Sequence, residues 1–388
     1  MNVVWFAEIK WDYLRTRKQH LVLRRPQGVE VVFFEPYVRG RENRHDLRSV
    51  DGIHAATIPL VKSIPGRGPL RALLDIGSIR NAIDARALAR ARRLLALAKV
   101  DPQASTFVVS NIYALHVVQS LAPRRLVYDC NDAHSDFPGA PRWARAYRDG
   151  LFRAADAVVV SAERLRAHAV AARASDAGVH VVGNGVDFAA FRSAAAAQPD
   201  RLAAGEAVRI GYLGAIAPWF DFALIAALAR ARPLWSFELV GPVMGGVDME
   251  LAALLTLKNV RHHPAVPHER VPGVLLDFTV GLIPFRKSEL TAAVNPNKLY
   301  EYLAVGLPAV ATAFSPEVAR YARSESGGPA VVAVADDANA MAKACEVFVA
   351  ARRDPSARAR LEGAAVAVAA AHDWSTIARE FWSVVQTV

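Results

Sequence analysis

The chain has 388 residues, of which 53% are hydrophobic and 22% charged. That length exceeds what one core usually organises, and that composition excludes a disordered or collagen-like chain. The 47 lysines and arginines outnumber the 37 acidic residues, for a net charge of +10, and the two cysteines, Cys130 and Cys345, are too few for a disulfide framework and lack zinc-ligand spacing around them.

The basic excess is confined to one half. Residues 1–180 hold 28 basic and 17 acidic side chains, whereas residues 181–388 hold 19 and 20. One half is built to face something anionic, and the other is balanced. Met1 to Ala7 run straight into an apolar stretch without a basic leader, so no signal peptide is expected. The longest apolar runs, such as 364–371, fall well short of the roughly 20 residues of a membrane span. A cytoplasmic protein is expected, one whose basic half can lie against an anionic membrane leaflet.

In chain order, the first half predicts strands at 3–7, 29–34, 52–58, 106–110, 126–128, 157–161 and 179–182, with helical stretches such as 80–97 and 144–154 between them. The second half predicts strands at 209–213, 236–240, 260–262, 278–283, 309–312 and 330–334. Alternating βαβ units with continuous apolar strands predict an α/β fold of two doubly wound parallel-sheet domains. The first is expected over 1–190 and the second over 208–372. The Ala-rich 191–207, with Pro199 and Gly205, reads as a linker. Residues 373–388 read as an amphipathic helix capped by Asp373 or Ser375.

Four groups of residues carry chemistry. The first is 295–312, Asn-Pro-Asn-Lys-Leu-Tyr-Glu-Tyr-Leu-Ala-Val-Gly-Leu-Pro-Ala-Val-Ala-Thr. Asn295 as cap, Pro296 in the first turn, Gly306 and Pro308 delimit a helix of about three turns. Its N-terminus is suited to a phosphate, and a cation at Lys298 makes sense there if an anion lies between it and the helix end. Glu301 shares a face with Lys298 and is suited to hold a ribose diol. An ordinary surface Lys–Glu pair is the plain alternative. The second group is Ile210 to Ile216, a strand ending in Gly214. It is joined by Gly241-Pro242 after strand 236–240 and by Arg286-Lys287 after strand 278–283, all at strand ends where open α/β sheets bind ligands. The spacing is not that of a dinucleotide fingerprint.

The third group is Tyr128-Asp129-Cys130-Asn131-Asp132-Ala133-His134-Ser135-Asp136. Here Asp132 or His134 is a candidate base for a hydroxyl, or positions a transferred group. Asn111, after strand 106–110, is expected to face the same cleft. The fourth is the opening loop, Glu8-Ile9-Lys10-Trp11-Asp12-Tyr13, and the helix after it with Arg15, Arg17, Lys18 and His20. A solvated basic helix is the alternative for it.

These pieces in this order resemble the nucleotide-sugar glycosyltransferases of the GT-B fold, closest to glycosyltransferase family four and its bacterial exopolysaccharide relatives. The matching segments are 155–161, 181–187 with Phe191, 211–214, 237–242, 277–285 and 298–312, followed by the terminal helix at Trp374. The resemblance implies two Rossmann-like domains facing a cleft, with the final helix crossing back to the first. It implies a donor held on the second domain, its ribose by Glu301 and its diphosphate by Lys298, Asn297, Arg286 and Lys287, with Gly214 and Gly241 close by. It implies no metal or other cofactor. It makes the opening loop and its helix, with Trp11 and Arg15, acceptor-side or pyrophosphate-contacting, puts Asn111 on the acceptor side, and points in the reaction to Asp132, His134 and Asp12. The family usually carries two glutamates eight positions apart. Here Ala293 stands where the first would be, and Glu289 is twelve back, so the stereochemical outcome stays open.

The expected function is therefore transfer of a sugar, from a UDP-sugar, to a saccharide linked to a polyprenyl diphosphate at the inner membrane face, in cell-surface or extracellular polysaccharide synthesis. A sugar-nucleotide epimerase on the same fold is the second reading. A non-enzymatic binder of anionic polymers is the third, and nucleic acid is not an expected partner because aromatic-basic interleaving is lacking.

Overall fold

A computed structural model describes residues 1–13, 15–61, 69–137, 139–197, 207–323 and 328–387. Strands β1 Asn2–Phe6, β2 Glu30–Tyr37, β3 Arg48–Val50, β4 Ile53–Val61, β5 Thr106–Val109, β6 Arg125–Cys130, β7 Ala157–Val160 and β8 Val179–Val181 form one sheet, in the order β3-β4-β2-β1-β5-β6-β7-β8. β1 lies between β2 and β5 in parallel register, Val3 opposite Val31 on one side and Thr106 on the other. Trp5, Phe6, Phe33, Phe34 and Phe107 are fully buried, as continuous apolar strands covered on both faces require.

Strands β9 Arg209–Leu213, β10 Ser236–Val240, β11 Val260–His263, β12 Val280–Ile283, β13 Ala309–Ala311 and β14 Val332–Val334 form a second sheet, all parallel, in the order β11-β10-β9-β12-β13-β14. The helix over Asn297–Ala304 is fastened to it through Tyr302. The Tyr302 hydroxyl accepts from Leu213 N–H at 2.9 Å and donates to the Leu282 carbonyl at 3.3 Å. Gly281 makes room for the ring, since a Cβ there would lie 2.4 Å from Tyr302 Cδ2.

The chain divides into two compact units: Met1–Gly183 with Ile377–Val388, and Asn184–Thr376. Several expectations change. Residue 184, not 191, starts the second unit. The helix Phe188–Ala196 belongs to that unit because Phe191 is buried in its core, so the start of the expected linker is structured; positions 198–206 lie outside the described residues. The edge strand β3 is antiparallel to β4, a short partner that no apolar run announced. The final helix begins at Trp374, and Asp373 is the residue that caps it: Oδ1 accepts from Ser375 N–H at 2.8 Å and Oδ2 from Phe188 N–H at 3.1 Å. From Ile377 on, the helix packs within the first unit. Phe381 stacks on Trp5 at 5.5 Å, and Trp382 Nε1 donates to the Leu21 carbonyl at 2.9 Å.

The helix expected to run about three turns has eight residues, and its cap position is taken by Pro296 rather than Asn295. Asn295 is buried; its side chain bonds the Tyr300 hydroxyl, and its carbonyl accepts from Asn184 Nδ2 at 2.8 Å. The far end closes as Gly306 and Pro308 predict. Leu307 N–H bonds the Tyr302 carbonyl and Gly306 N–H the Leu303 carbonyl, a Schellman closure.

Candidate functional site

In the second unit the strand order reverses between β9 and β12, the place where open α/β sheets bind ligands beyond their carboxyl ends. β9 ends in Gly214 and β10 in Gly241. Both have backbone φ that only glycine adopts without strain, +139° and +147°. The two loops touch: a Cβ on Gly241 would sit 2.1 Å from the Gly214 carbonyl oxygen. Lys298 lies over this crossing, and a Cβ on Gly214 would meet its Cε at 2.9 Å and its Nζ at 3.1 Å.

Burying Leu299, Tyr300, Tyr302 and Leu303 turns Lys298 and Glu301 to the opposite face of their helix, where both are half-buried. Lys298 Nζ sits 5.0 Å from the Tyr212 ring centroid and 4.4 Å from that of Phe285. Among the described residues it makes neither a hydrogen bond nor an ion pair. Burial pushes the ammonium down to about 8, against the opposing pull of the Glu301 charge. Burial likewise raises the Glu301 carboxyl, opposed by His268 and Lys298. A cation and an anion are thus held in a poorly solvated spot with little to neutralise either, which favours a ligand bringing both an anionic group and hydroxyls.

The other residues expected near the donor are placed as follows. Asn297 opens the helix and is half-buried. Arg286 is exposed, its N–H bonded to the Trp219 carbonyl. Lys287 is exposed and pairs with Asp336. Glu289, considered as a displaced glutamate, is exposed at the start of a four-residue helix, and Ala293 is fully buried. Sequence reasoning passed over His268 and the aromatic walls Tyr212 and Phe285. Phe285 was visible as the residue after a strand end, but His268 lies in a short 3₁₀ turn with no motif.

In the first unit the order reverses between β1 and β5. The residues beyond these ends and that of β6 form a connected network. Glu8, nine-tenths buried, pairs with the buried Lys18, and Lys18 Nζ also donates to Asn131 Oδ1 at 2.8 Å. His134 Nε2 lies 3.8 Å from Glu8 Oε1. Asp132 is half-buried; burial raises its carboxyl, against the charges of His134 and Lys18. Glu8 goes the other way: the Lys18 and His134 charges outweigh its burial and hold it below the usual carboxylate range. Beside this network, buried Arg17 donates to Asp129 at 3.1 Å.

The structure brings Asp132 and His134 together but not Asp12, which is exposed in an ion pair with Arg48 at 2.9 Å. Trp11 is corrected from acceptor contact to core residue. It is 4% exposed, edge-on to Phe33, with its indole N–H donating to Asp51 at 2.8 Å. Asn111 is corrected likewise. It is 1% exposed, its Oδ1 accepts from Tyr113 N–H and its Nδ2 donates to the Ala7 carbonyl, so it stitches the ends of β1 and β5. The helix Arg17–Leu23 is not a solvated basic face, because Arg17, Lys18, Gln19 and His20 are all buried; Arg15 precedes it and is exposed. Glu8 and Lys18 were named in sequence as members of the opening loop and its helix, but not as partners of each other.

Comparison with known proteins agrees with this geometry. Residues 207–350 match the family described as glycosyl transferases group 1. Over 203 residues the chain is 34% identical to TuaH of Bacillus subtilis (strain 168), a protein named for a teichuronic acid biosynthesis glycosyltransferase; the match takes in 48% of this chain and spans half the length of that relative. Among solved structures, Anabaena HepE in complex with UDP and glucose superposes with a TM-score of 0.67 at 15% identity, covering 100% of this chain and 99% of that one. The sucrose-phosphate synthase of Thermosynechococcus elongatus gives 0.71 at 17% identity, covering 99% and 98%. An Escherichia coli trehalose-6-phosphate structure with UDP-2-fluoro glucose gives 0.72 at 12%, covering 100% of both. The chain has the GT-B fold, and within its second unit residues 207–350 are the part similar to the group 1 glycosyl transferases.

Proposed function

We propose that this chain is a glycosyltransferase that takes a sugar from a UDP-sugar and passes it to a saccharide carried on a polyprenyl diphosphate, in the making of a cell-surface or extracellular polysaccharide. The observation that carries the reading is the ammonium of Lys298, set on aromatic faces over the Gly214–Gly241 crossing with no anion bonded to it among the described residues. A diphosphate is the ligand that such a cation lacks. In this reading Lys298 meets the diphosphate, Glu301 the ribose hydroxyls, and the N–H groups at Asn297 the phosphate oxygens. Offsetting the charge that develops on the leaving diphosphate is the main catalytic task, and these groups perform it without a metal.

Two relatives support the donor class by what is bound in them: HepE with UDP-glucose and the trehalose-6-phosphate structure with UDP-2-fluoro glucose. The polymer class is supported by the teichuronic acid role in the name of TuaH. The membrane side of the proposal rests on the basic first half, where each lysine or arginine near an anionic leaflet contributes about 1 kcal/mol. Among the described residues no helix is long and apolar enough to cross a membrane, so association at the inner face would be peripheral.

The test is calorimetric titration of the full chain with UDP, GDP, ADP and TDP and with their sugars, with and without EDTA. UDP binding unaffected by EDTA is expected. No binding by any nucleoside diphosphate overturns the reading. Flotation with vesicles containing anionic lipid, lost at high salt, is the expected result for the membrane side.

A further inference from the structure

The network of the first unit contains more than a buried ion pair needs. A salt bridge that only fastens the helix Arg17–Leu23 to the sheet would have both carboxylate oxygens engaged, since a buried acceptor left unpaired is destabilising. Among the described residues, Glu8 Oε1 faces Lys18 and His134, while Oε2 is buried without a hydrogen-bond partner. His134 Nδ1 is a second buried atom without one. The Glu8 side chain is 10% exposed and that of His134 23%, so His134 is the more open of the two. The site also lies at the reversal of strand order, beyond the carboxyl end of β1, where the architecture leaves a crevice.

The chemistry of the ligand follows from what is already spent. The Lys18 ammonium already serves Glu8 and Asn131, which leaves one N–H at most and its charge offset by Glu8. A second anion would meet the charge of Glu8 at close range. A hydrocarbon would leave Oε2 unsatisfied. What fits is a neutral group that donates hydrogen bonds, with Lys18 and His134 fixing the carboxylate that receives them.

We propose that Glu8 is the hydroxyl-recognition residue of the first unit, with its Oε2 accepting a hydrogen bond from a saccharide ring and His134 as the flanking contact. This deepens the reading above, on which it rests for the identity of the substrate: it assigns the acceptor's sugar, not its diphosphate, to the end of β1. Lys18 is a positioning residue.

The experiment is saturation-transfer NMR on the UDP-saturated full chain with the p-nitrophenyl α- and β-glycosides of glucose, galactose and N-acetylglucosamine. At least one glycoside is expected to receive saturation, falling at least fivefold in Glu8→Gln and unchanged in Glu346→Gln, an exposed control paired with Arg232. Inorganic pyrophosphate is expected to leave the glycoside signal intact. Because Glu8→Gln strips a buried lysine of its counter-charge, the double variant Glu8→Gln, Lys18→Met removes both charges together and keeps the comparison open if the single variant fails to fold. Equal saturation in the folded variant, displacement by pyrophosphate, or no glycoside binding at all overturns the assignment. UDP affinity is measured on the same samples. Its loss in the wild type strikes the donor reading instead, and its retention beside a failed glycoside test strikes only Glu8.

Discussion

Replacing Lys298 tests the donor site most directly, because its environment sets both a magnitude and a pH dependence. Burial against Tyr212 and Phe285 holds the ammonium at about 8, below the roughly 10.4 of an exposed lysine. In the free protein the unfolded chain binds more protons between these values, so stability rises with pH through that window and is lower below it. A bound diphosphate favours the charged form and opposes deprotonation. At pH 7 about nine-tenths of the free protein is already protonated, and Lys298 imposes little penalty on UDP binding there. At pH 9 about one-tenth is, so binding must draw in a proton at a cost of about 1.4 kcal/mol, close to tenfold in Kd. Phosphate groups with a second pKa near 6 are already about nine-tenths ionised at pH 7, so between pH 7 and 9 they add little slope. Titration by calorimetry in two buffers of different ionisation enthalpy at pH 9 should therefore show uptake of up to one proton per UDP. Lys298→Met removes a charge-assisted contact worth about 1.5–3 kcal/mol, a loss of about 10- to 150-fold at pH 7, and abolishes the step. Lys298→Arg keeps the charge at all these pH values and should also lack it. A tenfold step that persists in Lys298→Met, or an unchanged Kd at pH 7, refutes the reasoning.

Glu301→Ala should weaken UDP binding by about tenfold or more through loss of hydrogen bonds to the ribose, yet leave the affinity for inorganic pyrophosphate nearly as it was; parallel titrations separate the two. Gly241→Ala forces a Cβ to within 2.1 Å of the Gly214 carbonyl oxygen at φ +147°, so the thermal midpoint should fall by an amount corresponding to about 1–3 kcal/mol or more, and UDP affinity should fall with it. Gly214→Ala meets the flexible end of Lys298 instead, and differential scanning should find the smaller stability loss there, with the larger effect on UDP. Asp132→Asn should cut transfer of labelled sugar into butanol-soluble lipid by at least tenfold while the UDP affinity holds within twofold; full transfer would make that loop structural.

The fold was legible because its determinants are local. Strands of the Val-Val-Trp-Phe kind, covered on both faces, carry their own signal, and Gly306 with Pro308 marks a helix end wherever it falls. The placement of Lys298 beside Glu301 was legible for the same reason: the two share a face by helix spacing, and strand-end glycines mark a close approach. The boundary shifts have physical causes too. Proline at 296 took the cap position because its extended ψ of 119° suits a residue just outside the helix, and Asn295 was drawn into the core by Tyr300.

What sequence could not show is which polar residues turn inward. Trp11 and Asn111 carry the residue types of a ligand contact but are held by Phe33, Asp51, Ala7 and Tyr113. Lys18 looked like part of a solvated basic face until its partner Glu8, ten residues earlier, and Asn131, more than a hundred later, were brought to it by the order of the sheet. The same ordering explains why each unit has its polar cluster where it does. In both sheets the strand sequence reverses once, between β1 and β5 and between β9 and β12, and the connections leave the sheet in opposite directions there. The backbone ends at those reversals are uncovered by crossover helices, so charged side chains can stand at them without being sealed into apolar packing. Two reversals give two such sites with unlike chemistry: a cation seeking an anion beyond β9, and a carboxylate already paired beyond β1 that has one oxygen still to satisfy.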